Sequence, residues 1–314
     1  MLRSSNPTRP RSRRFSFQVV LFSSSRDWHA RQLRVAFTKR RVEMILLRLE
    51  SCDFDTESAF GLRLGKLAAL PDGAIVRGIS TGSFEAVTRR LGILHTLKTL
   101  GVPVWNEATA IERCVDKSTT TFLLAHAGLP VPPSWTVEGF DGAKRVVQAE
   151  AGEKPLVLKP LFGSQGRGLV LVRGRADLPP PEEVGNVYHL QRFVGADGPD
   201  YHDFRVFVIA GEPVAAMLRH SSGWITNVKR GGKPMPTVLD RELAELSVAA
   251  AGAVGAAFCG VDIIRGGDHR PYVLEVNSMP AWSGLQTVSP VRIADILAER
   301  FAAMLRTATE LRVA

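Results

Sequence analysis

Three cysteines are all this chain has, Cys52, Cys114 and Cys259, far apart and without a C-x-x-C pair. That scarcity argues against a disulfide framework and a structural zinc site, and it suits a reducing, cytoplasmic compartment. No apolar run approaches the roughly 18 residues of a membrane-spanning helix. The seven histidines include no H-E-x-x-H and none placed to serve a cysteine. Neither a P-loop nor a dinucleotide fingerprint occurs, since Gly61-Leu-Arg-Leu-Gly65-Lys66 is one residue short of the former and lacks its hydroxyl.

What is present is ordinary globular material: 314 residues, 45% hydrophobic and 23% charged, enough for about two domains with buried cores. The formal charge of +9 invites a nucleic-acid reading until it is located. Residues 1–43 hold eleven of the 40 basic residues against Asp27 and Glu43, so residues 44–314 carry 29 charges of each sign. The body therefore gives no argument for a nucleic-acid or membrane partner. The arm is Arg/Ser-rich and acid-poor, with one short apolar stretch from Phe15 to Phe22. Such composition predicts a disordered basic tail, a transit peptide, or a chain whose fold starts at Met44, and no chemistry before residue 44. An RNA- or ribosome-docking protein is the alternative function that this arm keeps open.

From Met44 onward, short apolar runs alternate with amphipathic stretches, as in α/β or α+β folds. Strands are expected at Ile45–Leu49, Ala74–Val76 and Val102–Trp105, with a helix from Phe84 to Leu100 stopped by Gly101. Together they predict a small α/β unit over 44–113. Further on, a helix over Lys117–Ala127, a strand over Pro155–Lys159, hairpins over 203–218 and 261–276, and a helix over Val291–Leu305 follow from the same patterning.

Chemistry concentrates in the carboxy-terminal half. Glu275 and Asn277 are two apart on a strand and share a face, leaving Tyr272, Leu274 and Val276 for the other. Asp262 lies where a hairpin brings it opposite. Three oxygen donors so placed suit Mg²⁺ or Mn²⁺; an ordinary solvated strand face is the plainer reading. Lys159 ends an apolar strand, and Gly163, Gly166 and Gly168 follow it, letting backbone amides approach phosphate oxygens, unless the turn merely joins two strands. Gln191-Arg192-Phe193-Val194 could meet an adenine edge. Asp203 and Arg205 share a strand face. Arg219 and Arg230 could clamp anionic oxygens or serve as surface ion-pair partners.

In order, these pieces resemble the ATP-grasp superfamily, and within it the RimK-like glutamate ligases: Asp116-Lys117, Lys159-Pro-Leu-Phe-Gly-Ser-Gln-Gly-Arg-Gly168, Gln191-Arg-Phe-Val, Asp203-Phe-Arg205, Asn227 … Arg230-Gly-Gly, Val261-Asp262 and Glu275-Val-Asn277-Ser-Met-Pro. The front half, Val76-Arg77-Gly-Ile79-Ser-Thr-Gly82 through Val115-Asp-Lys117, is similar to the tetrahydromethanopterin glutamate ligase branch. The resemblance implies an α+β ATP-grasp fold after a small, shortened α/β domain, with a lid subdomain over 114–190 and a metal-bearing subdomain over 191–314. It implies a carbon–nitrogen ligase that adds L-glutamate to an acceptor carboxylate through an acyl phosphate. ATP and two Mg²⁺ or Mn²⁺ ions are implied as cofactors, and a homo-oligomer as the assembly. The acceptor would be a tetrahydromethanopterin-type pterin, with another coenzyme or a ribosomal protein carboxyl terminus as alternatives. By the same resemblance, Asp262, Glu275 and Asn277 hold metal, and Lys117 and Lys159 hold phosphates. Gly163, Ser164, Gly166 and Gly168 form the loop over them; Gln191, Arg192, Phe193, Val194, Asp203 and Asn227 complete the nucleotide site. Arg219 and Arg230, with Lys159, serve the reacting groups.

Overall fold

The structure is a computed structural model and describes residues 15–152, 154–163, 165–195, 200–267 and 269–313. Two compact units divide the chain, one running to Ala108 and taking in Arg292 onward, the other spanning Thr109–Val291.

In the first unit the elements are β1 (Phe17–Phe22), α1 (Trp28–Lys39), β2 (Val42–Leu47), β3 (Cys52–Phe54), β4 (Leu62–Leu64), β5 (Gly73–Val76), α2 (Phe84–Thr99) and β6 (Val104–Trp105). A parallel sheet in the order β2-β1-β5-β6 forms its centre. Val19, Val20, Leu21 and Phe22 are fully buried, as a strand covered on both faces requires. The arm expectation is therefore corrected: from Phe17 onward, residues assigned to a basic tail form β1, α1 and the start of β2. The charge count misled because α1 exposes Arg31, Arg34 and Lys39 while Leu33, Ala36 and Phe37 face inward at helical spacing. Asp27 caps the helix by accepting from the Ala30 amide at 2.8 Å. Met44 lies inside β2, and residues 1–14 lie outside the described residues.

The second unit holds α3 (Ala108–Val115, crossing from the first), α4 (Lys117–His126), β7 (Ser134–Glu138), α5 (Phe140–Glu150), β8 (Leu156–Lys159), β9 (Val170–Val172), β10 (Val187–Arg192), β11 (Tyr201–Ile209), β12 (Glu212–Ser221), β13 (Lys233–Pro236), α6 (Arg241–Val254), β14 (Phe258–Arg265), β15 (Pro271–Asn277) and α7 (Ser283–Val288). One sheet runs β7-β10-β8-β9 and packs on α5 through Ala143 and Val147. The other, antiparallel, runs β13-β12-β11-β14-β15 and packs on α6 through Leu243, Leu246, Ala250 and Val254. The expected subdomain boundary after residue 190 is moved, because β10 stays in the first sheet through Arg192.

The last helix, α8 (Ile293–Val313), returns to the first unit, so it does not close the metal-bearing subdomain as expected. Its Phe301 ring meets Phe37 and Trp105 edge-on at 6.2 and 5.2 Å. Gly73 permits this approach, since a Cβ there would sit 2.8 Å from the Phe301 ring. Among the described residues no helix is long and apolar enough to cross a membrane.

Because β1 is internal to its sheet, Phe22→Ala should lower the unfolding free energy by about 3–5 kcal/mol. Urea denaturation checks this, and a loss below about 1 kcal/mol would deny β1 its central place.

Candidate active site

One row of side chains crosses the five-stranded sheet. The register sets Asp203 opposite Arg219, Arg205 opposite Asp262, and Asp262 opposite Glu275. Strand periodicity turns these residues to the face away from α6, where Val206, Val208, Val261 and Val276 are packed. Asp203, Arg219 and Asp262 are only 3, 2 and 4% exposed.

Burial of that kind demands pairing. Arg205 donates from Nε and Nη2 to the two oxygens of Asp262, both at 2.6 Å. Arg219 donates from Nε to Asp203 Oδ1 at 2.7 Å, bonds Asp203 Oδ2 through Nη2, and reaches Asp262 Oδ2 at 3.1 Å. The four groups alternate in sign and cancel. Burial alone would raise the Asp262 pKa, but Arg205 and Arg219 outweigh it and hold the carboxyl below the usual range. At Asp203 burial prevails over Arg219 and the pKa is raised. Arg219 is held protonated, the two carboxylates overcoming its desolvation.

Glu275 lines the cleft and makes no hydrogen bond or ion pair with a described residue. The strand pattern sets Leu274 on the face opposite Glu275, and the structure corrects this. A bulge leaves Leu274 as an extra residue between Glu275, paired to Asp262, and Val273, paired to Ile263. Val273 and Val276 enter the core, while Leu274 joins Glu275 in the cleft lining.

The opposite wall comes from the four-stranded sheet. Lys159, at the end of β8, donates to Gln191 Oε1 at 2.6 Å, and Gln191 donates onward to Ser134 Oγ at 3.1 Å. Burial depresses the Lys159 pKa to about 8; Glu275 opposes the shift and Lys117 adds to it. Lys117 opens α4, which Asp116 caps, and its Nζ donates to the Gly163 carbonyl at 2.7 Å. Gly166 and Gly168 both take left-handed backbone, φ 69°. A Cβ at Gly166 would lie 2.6 Å from Asn227 Oδ1, and one at Gly168 would lie 2.7 Å from Pro160 Cγ. Only glycine fits either position.

The cleft therefore gathers Lys117, Lys159, Gly163, Gly166, Gln191, Arg192, Phe193, Val194, Asp203, Arg219, Asn227, Asp262 and Glu275. Several expected members fall elsewhere. Arg230 is exposed on a short 3-10 turn outside the lining residues. Asn277 pairs with Gly260 and donates to its carbonyl at 3.5 Å, also outside the lining. Gly168 braces the loop from behind. Arg192 turns its guanidinium to Glu150 at 2.6 Å, and Ser164 lies outside the described residues. Sequence reasoning underrated Arg205, whose signal was its two-residue spacing from Asp203. It gave no role to Arg167, Trp224 or Leu274, which line the cleft.

An oxygen-only donor set, Glu275 with one face of Asp262, suits a hard divalent cation. Among the described residues no three His, Cys, Asp or Glu side chains cluster as a metal site, so a bound anion's own oxygens must complete such a shell. Two lysines, a glycine loop and a carboxylate pair facing one space suit a polyphosphate carried with a metal ion.

The comparisons agree with this chemistry. Residues 114–301 match the RimK-like ATP-grasp domain. The chain is 32% identical over 287 residues to tetrahydromethanopterin:alpha-L-glutamate ligase of Methanococcus maripaludis, covering 89% of this chain and 96% of that protein. A probable alpha-L-glutamate ligase of Thioalkalivibrio sulfidiphilus is 34% identical over 236 residues, 69% of this chain and 76% of that one. Among solved structures, the ATP-grasp ligase PsnB in complex with a minimal precursor, Mg and ADP aligns with a TM-score of 0.69 at 21% identity, covering 92% of this chain and 98% of that one. Likeness at that identity shows the fold.

Two outcomes follow from the geometry. Arg205→Met strips a buried carboxylate of its fork and should cost about 3–5 kcal/mol of unfolding free energy. An Arg205→Met/Asp262→Asn double variant should recover part of it in urea melts. Lys159 is charged below about pH 8, so calorimetric tripolyphosphate affinity should fall as pH rises through that value, and Lys159→Met should flatten the profile. Since the unfolded lysine keeps its proton to about 10.5, Lys159 makes stability rise with pH between about 8 and 10.5.

Proposed function

This chain belongs to the RimK-like ATP-grasp family, and from that membership we propose that it joins the amine of L-glutamate to a carboxylate of a tetrahydromethanopterin-type acceptor through an acyl phosphate. It is an ATP-dependent ligase that forms carbon–nitrogen bonds, and its family works with ATP and Mg²⁺. The observation that carries the chemistry is the cleft itself, where Lys117, Lys159 and the glycine loop face Glu275 across one space. The acceptor rests on the named relatives, whose similarity covers nearly all of both chains.

Lys117 and Lys159 hold the α- and β-phosphates, each steadied by a neutral oxygen that leaves its charge uncancelled. Gln191 acts first as the support of Lys159, and its role at the adenine is reassigned to the backbone of Phe193 and Val194. Phe193, Trp224 and Leu274 supply apolar walls for a planar base. Glu275, with Asp262 on the neighbouring strand, would hold Mg²⁺, which when bound would spread the triphosphate's charge. An acceptor carboxylate oxygen then attacks the γ-phosphorus, and the bond to ADP breaks. The amine of glutamate attacks the acyl carbon, loses a proton, and inorganic phosphate departs. Arg219 steadies the oxyanion: its Nη1 edge makes no hydrogen bond to a described residue, while Nε and Nη2 are locked on Asp203 and Asp262. Gly163 and residues 165–168 shut water away from the acyl phosphate. Arg230 has no part in this account.

Incubation with ATP, Mg²⁺, L-glutamate and a tetrahydromethanopterin-type pterin should yield ADP and phosphate in equal amounts and a pterin heavier by one glutamyl residue. Glu275→Gln should slow turnover by about a hundredfold or more. Turnover on a ribosomal protein carboxyl terminus but not on the pterin would overturn the acceptor assignment; full activity of Glu275→Gln would overturn the mechanism.

A further inference from the structure

Nearly every charged side chain lining the cleft is already engaged. Asp203, Arg219 and Asp262 neutralise one another together with Arg205, and Arg192 is spent on Glu150. Lys117 and Lys159 donate to Gly163 and Gln191. Arg167 is different: it lines the cleft, it is exposed, and its guanidinium makes no hydrogen bond or ion pair with a described residue. The glycines on either side take left-handed backbone, and neither has room for a Cβ beside Asn227 and Pro160.

We propose that Arg167 is a catalytic residue that grips the terminal phosphoryl group of ATP. This rests on the reading of the cleft as the nucleotide site. The lysine Nζ atoms are tethered, Lys117 to the Gly163 carbonyl and Lys159 to Gln191. Arg167 comes later along the loop, after Gly166, and carries a planar fork that matches two oxygens of one phosphoryl group. Engagement of that group closes the charge balance: of the three acids that line the cleft, only Glu275 lacks an ion pair, so the cations exceed the uncommitted acids before ligand enters. Because the contact is made to the group that moves, it strengthens as charge spreads over the equatorial oxygens in transfer.

The test uses full-length protein, Arg167→Met and Arg167→Lys, with melting temperatures matched to the parent. A non-hydrolysable ATP analogue and ADP are titrated separately in the presence of Mg²⁺. Arg167→Met should weaken the analogue by about 10- to 100-fold while changing ADP by less than about threefold. Its kcat should fall with KM for glutamate unchanged, and Arg167→Lys should regain analogue binding in part. Equal loss for both nucleotides, no loss for either, or a KM rise confined to glutamate or acceptor would each overturn the proposal. Failure of the parent protein to bind the analogue would instead overturn the nucleotide reading of the cleft.

Discussion

The alternation Asp203–Arg219–Asp262–Arg205 is the constraint on which the cleft depends. Four formal charges sit on the same face of three neighbouring strands, three of them almost without solvent. Isolated, any one of them would be costly to keep ionised there. Together they sum to zero, and each guanidinium fixes a carboxylate by a two-point fork, so orientation is set along with charge. Apolar residues of similar volume could fill the same space, but they would put no carboxylate on the strand beside Glu275. The sheet thus spends a buried ionic network on direction more than on stability.

Much of this site was legible in the sequence because strand periodicity is simple. Residues two apart share a face, so Asp203 with Arg205 and Glu275 with Asn277 could be paired from spacing alone. Two things were hidden. Cross-strand register is not local information: nothing near Asp262 announces that Arg205, 57 positions earlier, will bind it. A bulge also breaks the count by one, which is why spacing alone sets Leu274 on the face opposite Glu275. Arg230 failed for a related reason. The sequence paired it with Arg219 as a clamp on anionic oxygens, yet Gly231 turns left-handed and the Arg230 amide closes back on the Asn227 carbonyl, which makes a self-contained turn.

The fold was legible wherever a helix carried its own punctuation, as at Gly101, which follows α2 in left-handed backbone. It was misread at the amino terminus, where net charge was averaged over a segment holding a buried strand and a helix with one basic face. Charge describes what faces water; it says little about what lies beneath. Phe17–Phe22 contains the better signal, a short unbroken apolar run of the kind that both faces of a parallel sheet require. The recruitment of α8 into the first unit was out of reach for a different reason, since a long-range return of chain leaves no trace in local pattern.

These features together explain why a sheet, rather than a set of loops, carries the ionic half of the site. On the proposed mechanism an acyl phosphate exposed to water would be lost to hydrolysis, so the charges must be in place before that intermediate forms. Strands joined by register supply fixed positions, and the neutral network lets those positions stay buried in the empty enzyme. What must move is then confined to the side chains that touch ligand. The glycine loop is suited to that division, because no Cβ fits at Gly166 or Gly168, while the Arg167 guanidinium between them makes no hydrogen bond or ion pair with a described residue. The charge left over in the cleft is then the amount that a triphosphate with one Mg²⁺ would neutralise.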